Sequence, residues 1–167
     1  SFTIHKGETL AILGKTGSGK SSILALISRL YNVTEGTILV DGTAIHEVNL
    51  FDLRNNIGIV PQDAFLFSDT IKNNIKFGKE NATDDEVIEA AKKAVVHDNI
   101  INFNLQYETI LGERGITLSG GQKQRVSIAR AIIKDAPILL LDDCLSAVDT
   151  ETEETILNNL LEFCKNK

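Results

Sequence analysis

Two rhythms of apolar positions alternate along this chain of 167 residues. Thr9 to Leu13 form a short apolar run that stops at Gly14, which predicts a buried strand. A glycine-rich turn follows. From about Lys20 the spacing lengthens, and Ile23, Leu24, Ile27 and Leu30 mark one face of a helix. Thr37 to Val40 predicts a second strand, closed by the turn pair Asp41-Gly42, and Ile57 to Val60 a third that runs into Pro61. From there to about residue 135 the pattern is mostly helical and more polar. Thr83 with Glu86 has the spacing of a capping box, and Val87, Ile88, Ala91, Ala94 and Val95 continue at helical spacing. Ile138 to Leu141 is a continuous apolar run ending in two aspartates, the pattern of a central parallel strand buried on both faces. Thr150 with Glu153 predicts the capped start of a last helix, with Ile156, Leu157, Leu160 and Leu161 on its apolar side. Strands alternating with helices predict an α/β fold with a mainly parallel sheet. On this reading residues 1–62 and 136–167 form the core, and 63–135 form a helical insert.

Composition narrows the classes. With 43% apolar and 24% charged residues the chain reads as an ordinary globular domain, long enough to bury about 70% of its unfolded surface. A net charge of −6 argues against a nucleic-acid-binding face, which needs a basic excess. No apolar run approaches the roughly 20 residues that span a bilayer, and no signal peptide is visible. Cys144 and Cys164 match no metal spacing and read as reduced packing residues. His5, His46 and His97 are scattered without ligand spacing. The chain opens on Ser1 and contains no Met, so it is expected to be an excised fragment, with a processed chain as the alternative.

Chemistry enters at residues 14 to 21, GKTGSGKS, which fit the phosphate-loop pattern G-x-x-x-x-G-K-[ST]. Glycines at Gly14, Gly17 and Gly19 let the backbone fold tightly, so that N–H groups of Lys15, Thr16, Ser18 and their neighbours can point at phosphate oxygens. The helix beginning near Lys20 adds its positive end. Lys20 would neutralise the β- and γ-phosphates, the Ser21 hydroxyl would ligate Mg²⁺, and Ser22 beside it would contact the nucleotide. A chance glycine-rich turn is the alternative, and the strand-to-helix context weighs against it. Asp142, at the end of the apolar strand, would hold the metal, and Asp143 would face the attacking water. An apolar run ending in Asp-Asp is by itself a common strand ending; the phosphate loop gives it meaning. At 118 to 122 the chain reads LSGGQ. Ser119 and Gln122 have capping-box spacing, and Gly120 and Gly121 leave the backbone bare for an anion. The segment is thus a second candidate phosphate-binding helix start, or a plain capped one.

GKTGSGKS, Gln62 after Val60-Pro61, LSGGQ, LLLDD and then Ser146-Ala147-Val148-Asp149, in this order, resemble the ATP-binding cassette family over essentially the whole chain. The resemblance implies a P-loop ATPase core whose helical subdomain carries the signature segment. It also implies ATP and Mg²⁺ as cofactors, and a dimer with two ATPs sandwiched between subunits. Each ATP would meet the phosphate loop of one chain and Ser119, Gly120, Gly121 and Gln122 of the other. Gln62 would sense Mg²⁺ and the γ-phosphate, and Asp149 would belong to the loop that communicates across the dimer. Glu113-Arg114-Gly115, and Phe65-Leu66-Phe67 with Thr70-Ile71, look like the exporter branch. There this region touches a transmembrane domain, fused or separate, at the cytoplasmic face of a membrane. Phe65 and Phe67 could instead be core residues of the insert. Lys123, Arg125, Arg130 and Lys134, after the signature, read as a solvated helix face rather than a ligand site.

The chain departs from the family pattern in three ways. The adenine-stacking aromatic and the γ-phosphate histidine are both absent from it, which fits truncation at both ends. Asp143 stands where the family usually has Glu. Such a change resembles the weakened site in one half of some heterodimeric exporters, although a homodimer stays open. Rival readings are a cassette of the chromosome-repair type, a soluble translation-type cassette, and a nucleotide switch that hardly turns over. The first calls for a long coiled-coil insertion, and no heptad run lies between Gln62 and Ser119.

Overall fold

The computed structural model describes residues 1–113, 117–165 and 167. Two parallel strands form its centre, β3 (Ile57–Val60) and β4 (Ile138–Leu141), in register from Ile57 opposite Ile138 to Val60 opposite Leu141. The ladder continues one step further, where Asp142 N–H donates to the Val60 carbonyl at 2.9 Å. Because the strands are parallel, the residues following each leave at the same end of the pair. Gln62 and the Asp142-Asp143 pair are therefore delivered to one place.

Elements preceding β3 are short. Helix α1 spans Lys20–Ile27 and α2 spans Leu50–Asn55, while β1 (Leu39–Val40) and β2 (Thr43–Ala44) make an antiparallel hairpin. Its turn is Asp41-Gly42, both at positive φ (49° and 78°), the conformation that tightens a two-residue hairpin. After β3 come α3 (Ile71–Lys76), α4 (Asp84–Lys93), α5 (His97–Ile101) and the long α6 (Gly120–Lys134); α7 (Thr150–Cys164) follows β4. The Thr83 capping box forms with both of its bonds, and Asp84, Asp85 and Glu86 complement the start of α4.

The main core lies among α3, α4, α6 and α7, with Ile71, Ile75, Val87, Ala91, Val126, Ile128, Ile132 and Ile156 buried in it. A smaller cluster of Ile45, Leu53, Ile57 and Leu140 lies under the hairpin. Helix α6 is buried on nearly every side. It approaches α3 so closely that a Cβ on Gly78 would lie 2.1 Å from the Arg130 carbonyl oxygen. Only glycine admits that crossing.

Several sequence expectations give way here. Residues 9–13 form no strand, and Leu13 is 94% exposed. An apolar run states what a strand could bury, but a strand exists only through a ladder to a neighbour, and among the described residues this run has none. The second strand shrinks to Leu39–Val40. β4 is covered mainly on one side: Leu140 is buried, while Ile138 and Leu139 are half-buried and Leu141 is exposed. Helix α1 ends at Ile27, before Leu30, which is exposed. Val95 lies outside α4 at φ 55°. On α7 Ile156 and Leu160 are buried, but Leu157 and Leu161 face outward. The cap of α7 is Asp149, whose Oδ1 accepts from Thr152 N–H at 3.0 Å. A carboxylate one residue earlier meets the free N–H groups first, so the Thr150–Glu153 pair is not the cap.

Candidate nucleotide site

Helix α1 begins without a side-chain cap. Gly19 precedes it at φ 89°, with Gly17 at φ 80°, and both conformations are left-handed ones that disfavour side chains. Gly14 is crowded in a different way: a Cβ there would come within 2.6 Å of Ser18 Oγ, and the serine side chain would have to turn away. Ser18 N–H donates to the Lys15 carbonyl at 3.1 Å, which folds the loop on itself. Lys20 reaches back over it, with Nζ donating to the carbonyls of Gly14 at 2.8 Å and Lys15 at 3.0 Å. Its ammonium thus lies at the mouth of the loop, bound only to neutral oxygens that an anion would outcompete. Lys15, Thr16, Ser18, Ser21 and Ser22 are all exposed.

The two acids after β4 take different partners. Ser21 Oγ donates to Asp142 Oδ1 at 3.1 Å, linking the first turn of α1 to the end of β4. Gln62 Nε2 donates to Asp143 Oδ2 at 3.2 Å, linking the end of β3 to the next residue. Asp143 has φ 45°, a left-handed backbone for a residue with a side chain, and Ser146 Oγ donates to its carbonyl at 3.1 Å. Next to it Cys144 is buried, which pushes its thiol up to about 11 and keeps it an inert packing group.

One serine hydroxyl and one carboxylate side by side suit a hard divalent cation that completes its shell with phosphate oxygens and water. No group of three or more His, Cys, Asp or Glu residues that could enclose a metal occurs among the described residues. The donor set therefore fits Mg²⁺ shared with a nucleotide, and not an all-protein metal cage.

The start of α6 is built differently. Ser119 Oγ accepts from Gln122 N–H at 3.2 Å, and Gln122 Oε1 accepts from Ser119 N–H at 2.9 Å. Gly121 lies against the loop after β4, where a Cβ would meet the Ala147 carbonyl oxygen at 2.6 Å; at Gly120 the nearest atom would be 3.6 Å away. Ser119 and Gly120 stay exposed. No hydrogen bond joins residues 119–122 to residues 14–22 among the described residues. The structure thus brings together Lys20, Ser21, Gln62, Asp142 and Asp143, and leaves the LSGGQ segment apart from them. Asp149 is separate again, capping α7; its carboxyl is held below the ordinary 3.8, chiefly by the Thr152 N–H.

Of the basic residues after the signature, Arg125, Arg130 and Lys134 are not a solvated face. Arg125 donates to the carbonyls of Gly121 (3.3 Å) and Val95, and burial lowers its pKa while Asp149 opposes that shift. Arg130 donates to the carbonyls of Asn74 (2.8 Å) and Phe65 (2.9 Å), and burial pushes it down to about 10. Lys134 donates to the carbonyls of Arg54 (2.7 Å) and Ile57 (2.8 Å). Each cation satisfies backbone oxygens that the packing around α6 would otherwise leave bare. Sequence reasoning also missed Asn74, 1% exposed, and Gln124, 5% exposed. Gln124 stands in helical step with buried Ile128 and Ala131, so a polar residue on an apolar face was the available signal.

Asn74 shapes the 65–70 segment: its Oδ1 accepts from Phe67 N–H at 2.8 Å, and its Nδ2 donates to the Phe67 and Thr70 carbonyls, each at 3.0 Å. Phe65, Phe67 and Phe77 gather outside it, exposed, with the Arg130 guanidinium 5.5 Å from the Phe67 ring and 5.6 Å from that of Phe77. Phe65 and Phe67 are therefore not core residues, whereas Leu66 between them is fully buried. Glu113 is exposed; Arg114 and Gly115 lie outside the described residues.

Comparison with known proteins agrees with this geometry. The chain is 53% identical over its full length to ATP-binding cassette sub-family B member 6 of Xenopus tropicalis, spanning 20% of that protein. It is 49% identical, again over its full length, to the putative multidrug export ATP-binding/permease protein YgaD of Bacillus subtilis, spanning 29% of it. Its fold is similar to that of a bacterial Atm1-family ABC exporter with ATP bound, with a TM-score of 0.96 and 46% identity over 99% of this chain and 29% of that one. The chain thus covers less than a third of the length of these relatives. The sequence model of the ABC transporter family matches residues 1–146, and with the phosphate loop, paired acids and LSGGQ helix in place the chain belongs to that family.

Proposed function

We propose that this chain is the ATP-hydrolysing cassette of an exporter-type ABC transporter, and that it works as a face-to-face dimer. One observation carries the reading. Ser21, Asp142, Gln62 and Asp143 are joined pairwise where α1 begins and β3 and β4 end, beside the ammonium of Lys20. In this reading residues 14–22 cradle the phosphates through their N–H groups, and Lys20 leaves the loop carbonyls for the outer phosphates. Ser21 and Asp142 would hold Mg²⁺, which would shield the phosphate charge, and Gln62 would sense it. Asp143 orients and deprotonates the attacking water. Its carboxylate is one methylene shorter than the Glu usual in the family, so it reaches about an ångström less far, a misplacement that can cost on the order of 10²-fold in rate. This site is therefore the slower one if the partner cassette carries the usual acid.

The separation of the LSGGQ segment from the phosphate loop supports the dimer: Ser119, Gly120, Gly121 and Gln122 are free to meet the nucleotide of a second cassette, identical or not. Asp149 lies in the loop that would pass between them. No helix among the described residues is long and apolar enough to cross a membrane. Transport therefore needs a transmembrane domain, fused or separate, with the cassette at the cytoplasmic face; exposed Phe65 and Phe67 are the surface offered to it. Residues 63–135 act as the subdomain that moves with it, against a core of 1–62 and 136–167.

The test uses the full-length transporter. Lys20→Ala should lower ATP turnover by at least about 100-fold, because clustered phosphate charge is left uncompensated. Ser119→Arg should spare ATP binding and block ATP-driven closure of the dimer, followed by crosslinking. Wild-type turnover in Lys20→Ala would end the reading, and closure unaffected by Ser119→Arg would end the role in trans.

A further inference from the structure

Gln124 faces the core from α6, and a primary amide so enclosed must find its hydrogen bonds inside the protein. Its partners all belong to the nucleotide machinery. Oε1 accepts from Ala147 N–H at 3.1 Å. Nε2 donates to Ser146 Oγ at 3.4 Å and to the backbone carbonyl of Gln62 at 3.5 Å. Ser146 Oγ in turn donates to the Asp143 carbonyl at 3.1 Å, and the Gln62 side chain closes a ring onto the Asp143 carboxylate at 3.2 Å. The joint is firm toward the loop after β4 and looser toward Gln62, since both donated contacts are long.

What this ring holds is demanding. Asp143 is in the left-handed region, a conformation that persists only where the surroundings impose it. Ala147, bonded to Gln124, also touches the start of α6 through Gly121. One amide therefore connects the end of β3, the acid after β4 and the beginning of the LSGGQ helix. A residue that only filled the core would be served better by Leu, which fills similar volume with no polar atoms to satisfy.

We propose that Gln124 is a positioning residue for ATP hydrolysis: it ties the Gln62 backbone to the 146–147 loop, holds the Asp143 carboxylate in place, and passes displacement of Gln62 to the LSGGQ start. The proposal rests on the ATPase reading given above.

The experiment measures steady-state ATP turnover and melting temperature of the full-length transporter. It compares Gln124→Leu, Ser146→Ala, the double variant and Lys20→Ala. Gln124→Leu should lower kcat by about 10-fold with KM for ATP within about 2-fold, the split expected when alignment and not binding is lost. Ser146→Ala, at an exposed position, should lower kcat less. Within one ring the double variant should be no slower than Gln124→Leu alone. If Gln124→Leu does not fold, Gln124→Glu replaces it, since it keeps the acceptor for Ala147 N–H and turns a carboxylate toward the Gln62 carbonyl. A kcat within about 2-fold of wild type, a loss confined to KM, or losses that multiply in the double variant would each overturn the proposal. Lys20→Ala separates the failures: if it is inactive while the Gln124 variants are normal, only the positioning role falls; if it is fully active, the ATPase reading itself falls.

Discussion

Helices α1 and α6 both present a glycine-flanked start to solvent, yet they solve the problem of unpaired N–H groups in opposite ways. Helix α1 follows a left-handed glycine and has no side-chain cap, so its first N–H groups are left for a ligand. Helix α6 caps itself reciprocally through Ser119 and Gln122 and is braced by the loop at Ala147. The first is an open socket, with the Lys20 ammonium held beside it on the Gly14 and Lys15 carbonyls. The second satisfies the Ser119 and Gln122 N–H groups itself, and a phosphate reaching it must compete with Ser119 Oγ for the Gln122 N–H. An open end suits tight binding by one chain alone. A self-capped end suits a contact made late, as the proposed dimer requires.

Breaking the open end should have the largest effect. Gly19→Val places a β-branched residue at φ 89°, which costs of order 1–3 kcal/mol unless the loop rearranges. The loop is exposed, so it should rearrange. ATP affinity of the full-length protein should then fall at least about 10-fold, while its melting temperature moves by less than about 4 °C. Equilibrium binding and a thermal melt check the two halves; unchanged affinity would show that the backbone there does not form the cradle.

At the braced end the opposite split is expected. Gly121→Ala drives a Cβ to 2.6 Å from the Ala147 carbonyl oxygen and should destabilise the fold by about 1–3 kcal/mol, with ATP affinity nearly unchanged. Gly120→Ala, whose Cβ would lie at 3.6 Å, should leave the melt almost unmoved. Equal effects at the two glycines would refute the close approach to Ala147.

The smallest effect concerns α7, whose cap is charged. The Asp149 carboxyl is held below 3.8 in the fold, first by the Thr152 N–H. Its contribution to stability is thus present above pH 3.8 and lost as pH falls through the lower folded value. Asp149→Asn keeps a capping side chain but cannot titrate. Any advantage of the wild type in chemical denaturation at neutral pH should vanish below that point; an advantage that persists in acid would place its origin elsewhere.

How far each region could be read in advance follows from where its information lies. The caps of α4 and α6 were legible because a cap is a contact over three residues, and β3 and β4 because their apolar runs are bounded by Pro61 and by the acids. The turn of the phosphate loop was legible as well, since Gly17 and Gly19 answer to their own backbone angles. The strand expected at residues 9–13 was not secured by its pattern, because burial and pairing depend on neighbours far along the chain. Arg125, Arg130 and Lys134 were misjudged for the same reason: nothing near them in sequence shows which carbonyls α6 would leave in need of donors.

By itself, then, the sequence determined the chemistry on offer: a phosphate loop, an acid pair after an apolar strand, a glutamine after Pro61, and a second helix start at Ser119. Those are short-range patterns whose physics is complete within a few residues. Only the tertiary structure decided which of them meet. Parallel pairing of β3 and β4 sends Gln62 and Asp143 out at the same end, 3.2 Å apart, and the packing of α6 buries Gln124 against the Gln62 backbone and the 146–147 loop. Such meetings depend on strand register and on what a helix covers, and both are settled by contacts between segments that no local pattern contains.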